Sequence, residues 1–209
     1  MIRAIIKAVL ILSILPFLLD AQTVLRNDLL KLEAQKRIEQ MGQELLQKAG
    51  VRVYLIASNE HFEAGFNLVT YAKQYEANMS KPYVLFIFAP YATITEHSEM
   101  RGRVGIIPSS DEIKSLYDYD AVRDAAINIV AVKDSNTDED KFNIGILQGY
   151  SELCDGIASS KDITLKTTIP NEMGIMLTIL RVLVYAGTLA LLWIFVFRSI
   201  WMRIKHGKQ

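Results

Sequence analysis

Apolar and polar positions along this chain change period several times, and each change predicts an element. Between Gln22 and Ala49 apolar residues recur at Leu25, Leu29, Leu32, Ile38, Met41 and Leu45, with charges between them. That spacing predicts one long helix, which Gly50 ends. Val51–Ala57 alternates and is rich in β-branched and aromatic residues, so it predicts a strand. Phe66–Met79 returns to the helical period, with Phe66, Val69, Ala72 and Tyr75 on one face. Tyr83–Ala89 is apolar throughout, the pattern of a central strand covered on both faces. Tyr91–Thr95 and Arg103–Ile107 are short strand candidates on either side of the polar loop Glu96–Gly102. Ser110 is placed to cap a short helix, with Asp111 and Glu112 in its first turn. Asp120–Val132 and Phe142–Ala158 predict two more helices, separated by the acidic loop Asp134–Asp140, and Ser159–Asn171 reads as a polar linker.

Helices on both sides of a buried central strand predict a three-layer α/β/α domain over residues 22–158. Strands joined through a helix favour right-handed crossovers. About 150 residues is bulk enough for one hydrophobic core. Residues 159–172 then form the linker.

Two apolar segments flank this domain. Ile175–Phe197 is almost wholly apolar, and Arg198, Arg203, Lys205 and Lys208 follow at once. Roughly 20 apolar residues span a bilayer, and basic flanks stay cytoplasmic. A transmembrane helix over 173–202 and a cytoplasmic tail over 203–209 are therefore expected. Arg181 interrupts the run, and a charge at the centre of a span costs roughly 3 kcal/mol. Either the buried stretch runs Val182–Met202 with Arg181 snorkelling to the outer interface, or Arg181 pairs with an acid of another membrane subunit. Gly187, near Ala186 and Ala190, offers a notch for a second helix. At the other end, Arg3 and Lys7 precede the apolar stretch Ala8–Leu19. Residues 1–21 read as a signal peptide cleaved after Ala21, or as an uncleaved anchor. Both readings export the middle of the chain. The expected location is a bacterial inner membrane, crossed once by the mature protein, with the domain in the periplasm.

The formal charge of zero hides an asymmetry. Gln22–Glu172 carries 16 Lys/Arg and 22 Asp/Glu, a net of −6, while leader and tail hold the balancing positives. An acidic surface is a poor match for nucleic acid or anionic headgroups. The single cysteine, Cys154, excludes an internal disulfide and a Cys-x-x-Cys pair, and its helical neighbours Leu153 and Ile157 predict a buried thiol. The chain has no Gly-x-Ser-x-Gly, no His-Glu-x-x-His and no glycine-rich phosphate loop. Glu96-His97-Ser98-Glu99 has no partner motif, and His61 and His97 read as solvated. Glu76-Ala-Asn78-Met-Ser80 matches an N-glycosylation acceptor at Asn78.

The order of elements resembles the TPM-domain family. The stretches that carry the resemblance are Leu46-Gln-Lys-Ala-Gly-Val-Arg-Val-Tyr-Leu55, Val69-Thr-Tyr-Ala72, Val84-Leu-Phe-Ile-Phe88, Arg103-Val-Gly-Ile-Ile107 and Phe142-Asn-Ile-Gly-Ile-Leu-Gln-Gly149. An export signal in front and a membrane helix behind also look like this family. A domain placed at the bilayer without a recognisable catalytic constellation is expected to be a non-enzymatic accessory or assembly factor for an integral membrane complex, reached through the membrane helix and the acidic exported domain. Its alternatives are a weak metal-dependent phosphatase and a calcium-responsive binding module. Asp118, Asp120 and Asp124 cluster at a helix start, with Asp28 as a fourth oxygen donor, and read either as a family-like Ca2+ site or as acids favoured by the helix dipole. Asp134, Asp138, Glu139 and Asp140 lack the glycine and closing glutamate of an EF-hand loop and read as a solvated run.

Overall fold

A computed structural model of the chain describes residues 22–93, 101–170 and 172–197. The leader 1–21, residues 94–100 with His97, Asn171, and the basic tail with Arg198 lie outside the described residues. Strands β1 (Val24–Asn27), β2 (Arg52–Ala57) and β3 (Tyr83–Thr93) run parallel, and β4 (Arg101–Pro108) returns antiparallel to β3. Their order in the sheet follows the sequence, β1-β2-β3-β4. Helix α1 (Leu32–Ala49) joins β1 to β2. Helix α2 (Leu68–Ala72) and a 3-10 helix, Lys73–Asn78, join β2 to β3. After β4 come α3 (Asp111–Lys114), α4 (Tyr119–Ala131) and α5 (Asp138–Ser159).

The alternation of β3 builds two cores. Val84, Phe86 and Phe88 face Ile38, Met41 and Leu45 of α1 and Ile146, Tyr150 and Leu153 of α5. Leu85, Ile87 and Ala89 face Phe62, Leu68 and Ala72 on the other side. Each fully buried large side chain contributes about 1.5–3 kcal/mol. The two crossovers advance in one direction along the sheet yet cover opposite faces. They therefore have opposite hands, and one of them departs from the right-handed expectation.

The helix expected from Gln22 begins only at Leu32, because Val24–Asn27 pairs with β2 as an edge strand, Val24 opposite Leu55. The leucine spacing is helical, but strand pairing outweighs it. Gly50 ends α1 in the left-handed conformation, φ 70°, as its position predicts. The expected face of Phe66–Met79 is also corrected: Leu68 and Ala72 are buried, while Val69 is exposed. Tyr91–Thr93 is not a separate strand but the end of β3. Asp138, Glu139 and Asp140 belong to the first turn of α5, capped by Thr137, rather than to a loop.

Helix α5 lies close to its neighbours. A Cβ at Gly149 would stand 2.7 Å from Cβ of Ala126 and 2.8 Å from Cζ of Phe86, so the glycine sets how near α5 approaches α4 and the sheet. Cys154 is buried, and that burial pushes its thiol well up.

The segment read as a linker is part of the domain through Ile169. Leu165 sits in the first core. Lys48 Nζ donates to the Thr164 carbonyl at 2.8 Å. Ser151 Oγ donates to the Ile169 carbonyl at 3.1 Å and accepts from its N–H at 2.7 Å.

Contacts divide the chain after Ile169. The second unit holds helix α6 (Glu172–Leu192), which passes into a π-helical turn, Trp193–Phe197. Its described apolar side chains, from Ile179 and Leu180 through Leu189 to Phe195, are exposed. Among the described residues no helix is long and apolar enough to cross a membrane.

Candidate functional site

The acids singled out in the sequence do not meet. Asp118 caps α4, accepting from the backbone N–H of Asp120 at 2.9 Å and of Ala121 at 3.3 Å. Asp120 and Asp124 both pair with Arg123, at 2.6 and 2.8 Å. Asp28 directly follows β1, at the opposite edge of the sheet from β4, against which α4 packs. Among the described residues no three His, Cys, Asp or Glu side chains are grouped to hold a metal ion. The helix-start acids are thus occupied by a cap and by Arg123. In the second acidic run, Asp134 pairs with Lys141 at 3.1 Å and Asp140 with Lys31 at 2.7 Å.

Asn78 is exposed at the end of the 3-10 helix. Met79 behind it is extended, and the Ser80 N–H donates to the Tyr54 hydroxyl at 3.0 Å. In α6, a Cβ at Gly187 would meet nothing within 4 Å, and Arg181 is exposed among apolar neighbours.

A different polar cluster forms where β1 and β2 end, the place where parallel strands commonly present binding groups. Arg26 is its centre. Its Nε donates to Asp28 Oδ2 at 2.7 Å, and its Nη1 reaches both Glu60 and, at 2.8 Å, the Tyr71 hydroxyl. The Asn59 N–H also donates to Asp28, at 3.3 Å, and the Glu60 N–H to Ser58 Oγ at 3.2 Å. Tyr75 continues the chain, its hydroxyl 3.3 Å from that of Tyr71. Burial opposes the charge on Arg26, but bonds to Glu60, Asp28, Tyr71 and Tyr75 outweigh it and hold the guanidinium charged. Burial and the Tyr75 hydroxyl push Tyr71 up to about 12, against the pull of Arg26 and Ser58. Tyr71 is therefore neutral at ordinary pH. Nearby, His61 stacks on Tyr91 at 5.0 Å between ring centres.

Chemically this cluster is a latch. Its donors and acceptors use one another, and it ties β1, the turn after β2 and α2 together. It was not legible in the sequence because its members come from distant segments, Arg26 and Tyr71 alone lying 45 residues apart. Positions at strand ends are the available signal, and Asp28 is engaged by Arg26 and the Asn59 N–H. No family model matches the chain, and no curated protein matches it in sequence.

Proposed function

We propose that this chain is a membrane-tethered, exported α/β domain of TPM type, three-layered, which serves as a non-enzymatic accessory or assembly factor for an integral membrane complex. The observation that carries the reading is α6, whose described side chains, Arg181 and Thr188 apart, are mostly apolar and exposed around the helix. A helix apolar on all sides belongs in lipid or against another apolar surface. The basic tail after it and the basic, apolar leader favour export of residues 22–172. The alternatives, a weak metal-dependent phosphatase and a calcium-responsive module, rest on the family resemblance and on the acids at the start of α4, two of which pair with Arg123.

The test is co-purification in mild detergent followed by mass spectrometry. The variant Arg181→Leu with Gly187→Leu is expected to insert normally yet lose a multi-span partner. Equal recovery of the same partner with a scrambled apolar helix would reduce α6 to a tether.

A further inference from the structure

Among the described residues β4 is an edge strand, and its register shows which backbone groups face outward. The Ser109 N–H donates to the Tyr83 carbonyl at 2.9 Å, and Val84 lies opposite Pro108 while Phe88 lies opposite Val104. Bonded and non-bonded pairs alternate in an antiparallel ladder. Arg103, Gly105 and Ile107 therefore turn their N–H and C=O groups toward β3, and Val104 and Ile106 turn theirs away. An independent contact agrees, because the Tyr119 hydroxyl of α4 donates to the Val104 carbonyl at 3.4 Å.

A groove opens on each face beside this edge, and Arg103 and Val104 line both. One, of about 430 Å³, is mainly aliphatic, with Ile127, Val130 and Ala131 of α4 beside Arg101. The other, of about 410 Å³, is more polar and includes Asn67 and Tyr119. Ile127 is exposed within the first. Side chains of an added strand alternate between the two faces of a sheet, so one strand would supply both grooves.

We propose that the β4 edge around Val104 captures an extended segment of a partner protein by strand addition. Its aliphatic residues enter the groove walled by Ile127 and Val130, and its acidic residues, on the alternate face, meet Arg103. A second copy of β4 in that place would add another Arg101 and Arg103 to a surface that already holds two. Opposite charge favours the acidic segment over the copy. This gives the accessory role its partner chemistry and rests on that reading. Peptide binding and membrane topology are measured separately, so either can fail alone.

The probe is the peptide acetyl-Glu-Val-Glu-Ile-Glu-Val-amide, titrated by calorimetry into the full chain in mild detergent. Its lysine counterpart is expected to bind at least about tenfold more weakly. Val104→Pro removes an outward N–H without touching the β3 ladder, which an edge strand tolerates, and is expected to weaken binding about tenfold or more. Ile127→Glu, on an exposed helix face, should do the same and keeps the test valid if Val104→Pro misfolds. Equal binding of both peptides, or binding unchanged in Ile127→Glu, overturns the proposal. So does concentration-dependent self-association that is lost in Ile127→Glu while no peptide binds, since the occupant is then a second copy.

Discussion

Glu44 of α1 accepts hydrogen bonds from the backbone N–H of Thr167 at 2.9 Å and from its hydroxyl at 2.6 Å, 123 residues further along the chain. The same carboxylate accepts from the Lys166 N–H at 3.0 Å and pairs with Lys48 at 2.7 Å. Burial works to raise its pKa, but Lys48, the Thr167 hydroxyl and the two backbone donors outweigh it and bring the group down to about 2 from an ordinary 4.5. One acidic side chain thus fastens the strap that leads toward the apolar helix.

A pH dependence follows from that clamp. A depressed carboxylate contributes stability that is present above its unfolded pKa and lost as pH falls through the folded one. The contribution of Glu44 is therefore complete above about pH 4.5 and fades toward pH 2. Solvent screening reduces it to about 1–2 kcal/mol. Glu44→Gln should lower the unfolding free energy at pH 7 by that amount, and the gap to wild type should narrow as pH falls from about 4.5 toward 2. Denaturant unfolding across that range checks it; a gap independent of pH contradicts the clamp.

Gly149 tests the packing of α5. Alanine in place of glycine gains about 1 kcal/mol of helix propensity. Here the new Cβ would meet Phe86 Cζ at 2.8 Å and Ala126 Cβ at 2.7 Å, and overpacking costs about 1–3 kcal/mol. Both contacts are with core side chains that have little room, so the clash wins. Gly149→Ala should lower Tm by several degrees in a thermal scan, and a rise would mean that the helix can shift outward.

The Arg26 latch is open to a double-mutant cycle. Arg26→Met leaves Asp28 and Glu60 without their shared cation and should cost about 1–2 kcal/mol, less than a fully buried pair because all three are partly solvated. Adding Glu60→Gln should recover part of the loss. Strict additivity of the two changes would show that the contact contributes no coupling.

Much of the fold was legible in local pattern and the rest was decided at long range. The apolar run from Tyr83 marked the central strand, Gly50 marked a helix end, and Ser110 was found capping Ile113 at 3.3 Å. Val24–Asn27 looked helical because its leucine spacing is helical; only Leu55 and its neighbours make it a strand. Ser159–Asn171 looked like a linker because its polar residues hide Leu165, and because Glu44 and Ser151, which hold it, lie elsewhere in the chain. The acids of α4 were visible, but Arg123 sits among them in sequence, and the structure gives it Asp120 and Asp124.

That pairing predicts the response to calcium. Asp120→Asn with Asp124→Asn should leave the fold intact, since the pairs it removes are largely exposed. Millimolar Ca2+ should leave Tm unchanged in both wild type and variant. A calcium-dependent rise in wild type that disappears in the variant would restore the metal site.

Membrane topology is the most direct test of the central claim. A phosphatase reporter that works only outside the cytoplasm is fused after Asn171 in one strain and after Gln209 in another. The account places the domain outside the cytoplasm and the basic tail inside, and so predicts activity at Asn171 and none at Gln209. Activity at both points, or at neither, contradicts it.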